Sequence, residues 1–160
     1  MPIRVHLGAG PMLALAALVA TACTPAATSP AAPTAEATES MAAGAVNVTL
    51  QEFSVIPDAD SVPAGDVTFH VTNEGPEDVH EFVVIRTDLA PDSLPTAEDG
   101  SVDEEGEGIE VVDEIEDIPV GESQDLTVPL DAGAYVLICN IVEDDEAHYA
   151  MGMRTAFTVE

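Results

Sequence analysis

The sequence predicts an all-β fold, an antiparallel β-sandwich over residues 46–160. Short β-branched and apolar runs recur through this part of the chain, and turn residues separate them. One run alternates strictly, because Val67, Phe69 and Val71 are apolar and the residues between them are Thr68 and His70. The segment is also long enough to bury one sandwich core. By this alternation His70 faces away from the core and is an exposed bystander.

The predicted strands follow in order from Val46. The first, residues 46–55, has Val46, Val48 and Leu50 as inward candidates, with Phe53 as a further one. Asn73 to Pro76 predicts a turn after the alternating strand. Further strands are expected at residues 80–86, 126–130, 135–141 and 153–159. Residues 135–141 are apolar up to Asn140, which is typical of a central strand covered on both faces.

An acidic insertion, Asp88 to Pro119, interrupts this pattern. Eleven of the 20 residues from Glu98 to Asp117 are acidic, which favours a solvated surface excursion. Val111, Ile115 and Ile118 have helical spacing, so a short helix packed on the sandwich is the second hypothesis. No calcium-loop spacing occurs among these acidic residues.

The N-terminal residues resemble an export signal. Residues 1–22 have a positively charged start at Arg4, an apolar stretch and small residues at the end. The apolar stretch is shorter than the roughly 20 residues that span a bilayer. Cys23 then stands where a bacterial lipoprotein carries its lipid, although Ala20 to Ala22 also fits simple cleavage and secretion. Residues 23–45, rich in Ala, Thr and Pro, are expected to form a flexible linker after the lipidated cysteine.

Charge excludes several classes of partner. The chain has 31 acidic residues against 3 basic ones, a net charge of −28. Such a surface repels the phosphates of nucleic acids and of anionic lipids. A basic protein surface is the partner that this charge favours, and contact with a membrane is expected through the lipid anchor alone.

Four side chains in the folded part suggest one metal centre. Cys139 is the single cysteine after Cys23, and a lone thiol in an exported protein needs an explanation. It could pair with Cys23, remain a buried inert thiol, or bind a metal together with His80, His148 and Met153. One thiolate, two imidazoles and a thioether form the donor set that suits a single copper ion. Met151 is a competing candidate for the thioether.

The same segments resemble a known family. Asn73 to Gly75 followed by His80, then residues 135–140, then residues 148–154 are similar to the cupredoxins, which are small blue-copper proteins. The resemblance covers residues 46–160 and implies a Greek-key β-sandwich. It implies His80, Cys139 and His148 as equatorial ligands and Met153 as the axial one. The spacing Cys-x8-His-x4-Met is similar to that in the copper domain of nitrite reductases. Glu81 departs from the family pattern, because plastocyanin and azurin usually have Asn directly after the first histidine.

The resemblance implies a monomeric carrier of single electrons between redox partners, with transfer through the exposed edge of His148. A module that sequesters or delivers copper outside the cell is the alternative, and a copper-free interaction domain is a third. An enzyme is not expected. Copper enzymes need further histidines, and His70 is the one left in the mature chain after His80 and His148. The expected location is the outer side of the cell membrane, or the medium if Cys23 carries no lipid.

Overall fold

The computed structural model describes residues 42–160, which all belong to one compact unit. The predicted signal peptide, Cys23 and the linker up to residue 41 lie outside the described residues. The first strand begins at Ala42, inside the segment that was expected to be linker up to residue 45. The elements are β1 (Ala42–Gln51), β2 (Ser54–Pro57), β3 (Ser61–Val62), β4 (Gly65–Asn73), β5 (His80–Arg86), β6 (Glu110–Ile118), β7 (Ser123–Leu130), β8 (Gly133–Ile138), β9 (Val142–Glu143), β10 (Glu146–Ala147), α1 (His148–Met151) and β11 (Arg154–Val159).

These strands form the predicted sandwich. One sheet has the order β2-β1-β4-β7 and the other β3-β11-β8-β5-β6, while β9 and β10 make a small separate hairpin. Most neighbours are antiparallel, as predicted, but β1 pairs with β4 and β3 pairs with β11 in parallel. Both exceptions arise because the chain leaves the first sheet after β2, enters the second at β3, and returns to the first at β4. The sheets are therefore mixed.

The core between the two sheets confirms the predicted inward residues. Val46, Val48 and Leu50 of β1 and Val67, Phe69 and Val71 of β4 are all fully buried. Phe69 contacts Phe82 and Phe157 of the opposite sheet, with ring centroids 5.2 and 5.6 Å apart. These side chains belong to one contiguous apolar cluster, the inner core. Burial of so much apolar surface is the main force that holds the two sheets together.

The acidic insertion covers the outer face of the second sheet. Leu94 and Val102 pack with apolar side chains of β5 and β8 and with Tyr149 in a second cluster, the outer cluster. Asn140 ties the insertion down, because its side chain accepts from the N–H of Val102 (2.6 Å) and donates to the carbonyl of Val102 (3.1 Å). Most of the acidic side chains are exposed, as the solvated excursion implied, but Leu94 and Val102 also anchor the insertion to the sheet. The prediction of a central strand covered on both faces is confirmed, because Tyr135 to Ile138 of β8 are all buried.

The short helix of the second hypothesis does not form, because Val111, Ile115 and Ile118 lie in β6. Relative to β5, the β6 strand carries an extra residue at two places, between Ile115 and Ile118 and between Val111 and Asp113. Such bulges reset the alternation of side chains between the two faces. Ile115 and Ile118 consequently both reach the inner core, whereas Val111 packs against the outer cluster. Two bulges thus produced an apolar spacing that imitates a helix.

The single helix within residues 42–160, α1, has four residues. Among the described residues no helix has the length and apolar character needed to cross a membrane.

Candidate metal centre

Neighbouring strands bring the predicted ligands to one end of the second sheet. His80 is the first residue of β5, and Cys139 directly follows β8. Because β5 and β8 pair antiparallel, the start of one lies beside the end of the other, and the N–H of Glu81 donates to Cys139 Sγ at 3.3 Å. The N–H of Cys139 donates to the carbonyl of Met153 at 3.1 Å, just before β11 begins. The sheet hydrogen bonds therefore fix the relative positions of three of the four residues.

His148 is placed by the chain between β8 and β11. Its N–H donates to the carbonyl of Ile141 at 2.9 Å, and its own carbonyl accepts from the N–H of Met153 at 3.0 Å. Gly152 ends α1 with a φ of 130°, a backbone conformation that residues other than glycine rarely adopt. This turn returns the chain to β11 in only a few residues. The acidic run 143–146 forms the β9–β10 hairpin and is exposed, as a solvated loop should be.

Three donor atoms converge in a buried space. The Nδ1 atoms of His80 and His148 are 3.3 Å apart, and Cys139 Sγ lies 3.4 Å from His148 Nδ1 and 3.9 Å from His80 Nδ1. A point equidistant from the three atoms is about 2 Å from each, close to the length of metal–nitrogen and metal–sulfur bonds in proteins. All three residues are buried, and they form one of the two groups within residues 42–160 that could hold a metal ion. The geometry fits a single small ion.

The two candidate thioethers differ sharply in burial. Met153 is 0% exposed and belongs to the same apolar cluster as Cys139. Met151 is 49% exposed, at the end of α1. Of the two, Met153 is the thioether that lies with the three donor atoms on the buried side.

His148 does not have the exposed edge that the family resemblance implied. His148 is only 1% exposed to solvent. Phe53 packs on it edge-on, with ring centroids 5.3 Å apart, and His80 packs on it at 5.1 Å. Phe53 lies in the turn between β1 and β2, so a segment far away in sequence closes the site. The expectation of direct access through the His148 edge is therefore wrong.

Burial also determines the charge of the free ligands. It raises the pKa of the Cys139 thiol to about 11, and the donor N–H groups of Glu81 and Ile141 offset this only in part. Burial together with the neighbouring His148 lowers the pKa of His80. Without a metal, the site at neutral pH therefore holds a thiol and a neutral imidazole. Binding a metal through sulfur must release the proton of Cys139.

Three further residues support the site, although the sequence pattern did not assign this role to any of them. Asn73 is fully buried, and its side-chain amide donates to the carbonyls of Asp78 and Ile118, both at 2.8 Å. It also accepts from the N–H of Gly75 at 2.7 Å, which holds the turn that leads to His80. Glu52 and Phe53 reach the two histidines from the β1–β2 turn. An Asn before a Gly-Pro turn is a sequence signal that could have indicated how Asn73 holds the turn. No signal in the neighbouring sequence indicates that Glu52 contacts His80.

A second group of three carboxylates, from Glu81, Glu104 and Glu114, lies beside the site. Burial and then the charge of Glu114 and Glu104 raise the pKa of Glu81 to about 7. A carboxyl group whose pKa is higher in the folded than in the unfolded protein stabilises the fold when it is protonated. For Glu81 this stabilisation is complete below the ordinary pKa of 4.5 and disappears as the pH rises through about 7. Ionisation of Glu81 therefore destabilises the folded protein above neutral pH.

We expect Glu81→Gln to raise the free energy of unfolding of the metal-free protein at pH 8 by on the order of 2 kcal/mol. At pH 4.5, where Glu81 is protonated in the folded protein, the difference from the parent should disappear. Urea denaturation at both pH values measures it. Glu107→Gln, at an exposed position of the insertion that also carries Glu104 and Glu114, is the control and should show no such pH dependence. An equal effect at both pH values would contradict the assignment.

Comparison with known proteins supports the fold. No protein-family model and no curated protein matches the sequence. Solved structures do match. Dithionite-reduced auracyanin from Roseiflexus castenholzii is 20% identical, with 74% of this chain and 97% of that chain covered and a TM-score of 0.52. Reduced rusticyanin is 22% identical, with 74% and 80% covered and a TM-score of 0.50. Rusticyanin from Thiobacillus ferrooxidans is 19% identical, with 74% and 78% covered and a TM-score of 0.50.

The fold is that of the cupredoxins. The matched share of this chain corresponds to nearly all of the described residues. The cupredoxin fold accounts for the mixed pairing of the two sheets and for the meeting of β5, β8 and the segment before β11 at one end. The fold prediction, a Greek-key sandwich of this type, is thus confirmed. At these identities the match concerns the fold alone.

Proposed function

We propose that this chain is an extracytoplasmic copper protein that transfers single electrons between redox partners. The observation that carries the proposal is the buried convergence of His80 Nδ1, His148 Nδ1 and Cys139 Sγ, with Met153 beside them. Two imidazoles, one thiolate and a weak thioether suit one mononuclear copper better than other common metals. Structural zinc sites, by comparison, have four strong ligands and no thioether.

The residues of the chain prepare this site in three ways. His80, Cys139 and His148 would be the strong ligands and Met153 the weak axial one. The inner core and Phe53 exclude water, so bound charge is stabilised by the protein and not by solvent. Hydrogen bonds of β5, β8 and the Met153 backbone hold the ligands in place, which limits their rearrangement when the charge changes. When bound, the copper supplies a one-electron couple between Cu(II) and Cu(I).

The similar solved structures favour redox chemistry. One of them is a dithionite-reduced auracyanin and another is a reduced rusticyanin, so both proteins have a reduced form. The remaining histidine of the described residues argues against an enzyme with a second copper centre. His70 is exposed on β4, and its Nδ1 lies 2.7 Å from Asp125.

The proposed location and partner follow from the sequence. Residues 1–22 would direct export, a lipid on Cys23 would anchor the chain to the cell membrane, and residues 24–41 would separate the anchor from the domain. The charge of −28 favours a redox partner with a basic contact surface, bound more weakly as the salt concentration rises. The chain would act as a monomer.

Repeated oxidation and reduction of the copper-loaded protein tests this function against copper sequestration or delivery. An electron carrier should show a reversible one-electron couple by voltammetry and should retain its copper over many cycles in the presence of a Cu(I) chelator. Loss of the copper to the chelator on each reduction would support the delivery module instead. The rigid, buried ligand set predicts retention.

The axial role of Met153 can be tested with two nearly volume-conserving substitutions. We expect Met153→Leu to raise the reduction potential, because loss of one donor from a buried site disfavours the more highly charged Cu(II). A tenfold change in the relative affinity for the two oxidation states corresponds to about 59 mV. Met151→Leu, at the exposed position, is the control and should leave the potential unchanged. The reverse result would assign the thioether to Met151.

A further inference from the structure

Two buried side-chain polar atoms within residues 42–160 lack a hydrogen-bond partner, and they belong to two residues that are in contact. The two atoms are Oε2 of Glu52 and Nε2 of His80. The other carboxylate oxygen of Glu52, Oε1, is 3.6 Å from His80 Nε2, slightly beyond hydrogen-bond distance. His80 is fully buried, and the Glu52 side chain is only 11% exposed. An unpaired buried group is costly, so a donor and an acceptor left side by side indicate a functional contact.

The backbone holds Glu52 firmly in this position. Its Oε1 accepts from the N–H of Asp78 at 2.7 Å and from the N–H of Glu77 at 3.1 Å. Both residues lie just before His80, so the carboxylate joins the β1–β2 turn to the segment that enters β5. Two backbone N–H donors on one carboxylate oxygen favour the ionised form of Glu52.

The geometry assigns to Glu52 the role of positioning residue for His80, in which its carboxylate receives Nε2–H and its negative charge favours the oxidised state of the bound copper. This inference rests on the proposed function. His80 turns Nδ1 towards Cys139 and His148, so Nε2 is the nitrogen that must carry the proton when Nδ1 binds a metal. A carboxylate at Nε2 fixes this tautomer and makes the imidazole a stronger donor.

The sign of the effect follows from electrostatics. Interactions between charges are stronger in a buried site than in water, and a nearby anion stabilises the ion of higher charge more. Glu52 should therefore increase the affinity for Cu(II) more than the affinity for Cu(I), which lowers the reduction potential. Loss of such a contact behind a metal-binding histidine typically weakens metal binding 10–100-fold.

The decisive variant is Glu52→Gln, which removes the charge and keeps the size of the side chain. We expect its Cu(II) affinity to fall about tenfold relative to its Cu(I) affinity, a rise of about 59 mV in potential. Competition with Cu(II) and Cu(I) chelators measures the two affinities separately, and a redox titration measures the potential. Glu146→Gln is the matched control, because Glu146 is exposed and lines the same surface groove as Glu52.

Glu52→Asp provides a second test, since it keeps the charge and the potential should stay nearer to that of the parent. If Glu52→Gln and Glu146→Gln shift the potential equally, or if Glu52→Gln leaves the ratio of the two affinities unchanged, the assignment is wrong. A parent protein that binds no copper through Cys139 would instead overturn the proposed function itself. The two failures are distinguishable because the parent is measured first.

Discussion

Replacing Cys139 with serine should abolish the intense thiolate–copper absorption and weaken Cu(II) binding by more than the ~10–100-fold that is typical when a ligand loses its supporting hydrogen bond. The hydroxyl group of serine is nearly the same size as the thiol but does not ionise near neutral pH, so the site loses its one anionic ligand. Cys139 is fully buried and lies 3.4 Å from His148 Nδ1. It is the one cysteine among the described residues, so no other thiolate there can replace it. Competition with a Cu(II) chelator measures the loss of affinity.

Proton release provides an independent measure of the same substitution. Because the pKa of Cys139 is raised to about 11, copper binding at pH 7 should release one proton from the thiol of the parent protein. The serine variant should lack this release. Calorimetry in buffers of different ionisation enthalpy measures it. Cys23→Ser, which removes the other cysteine of the chain, is the control and should leave both affinity and proton release unchanged. If the two variants behave alike, Cys139 is not a ligand.

Phe69→Ala should lower the free energy of unfolding of the metal-free protein by about 3–5 kcal/mol. Phe69 is fully buried in β4 and is the ring through which the first sheet contacts both Phe82 and Phe157 of the second. Removing it leaves a cavity that the surrounding strands cannot fill, because β4 is held on both sides by β1 and β7. Since Phe82 follows His80 by two residues, the loss also loosens the support of the metal centre.

Denaturation with urea, with and without one equivalent of Cu(II), measures this effect. Copper that binds only the folded protein should restore part of the lost stability by mass action. Ile56→Ala is the control, because Ile56 is 48% exposed and its truncation should change the free energy of unfolding by at most about 0.5 kcal/mol. A Phe69→Ala protein as stable as the Ile56→Ala protein would contradict the assignment of the inner core.

The parts of the fold that the sequence predicted are those in which local pattern and tertiary environment agree. Val67, Phe69 and Val71 alternate because β4 has one face on the inner core and the other in solvent. Residues 135–138 are continuously apolar because β8 is buried on both faces. His80, Cys139 and His148 stand in the order of a cupredoxin site, and the structure brings them together as that order implied.

The parts that could not be predicted depend on contacts between distant segments. The spacing of Ile115 and Ile118 imitates a helix because a bulge at Asp117, with a φ of 49°, turns both side chains inward. The burial of His148 depends on Phe53, which is 95 positions earlier in the chain. Glu52 likewise reaches His80 only because β1 and β2 turn over the end of the other sheet. No pattern within one segment carries this information.

The visible absorption spectrum of the full-length protein during titration with Cu(II) tests the central claim most directly. The arrangement of His80, Cys139, His148 and Met153 predicts an intense thiolate–copper band that saturates at one equivalent of copper. Dithionite should bleach this band and reoxidation should restore it. A protein that stays colourless, or that shows only weak copper absorption unaffected by dithionite, would contradict the assignment of a redox-active copper centre to this site.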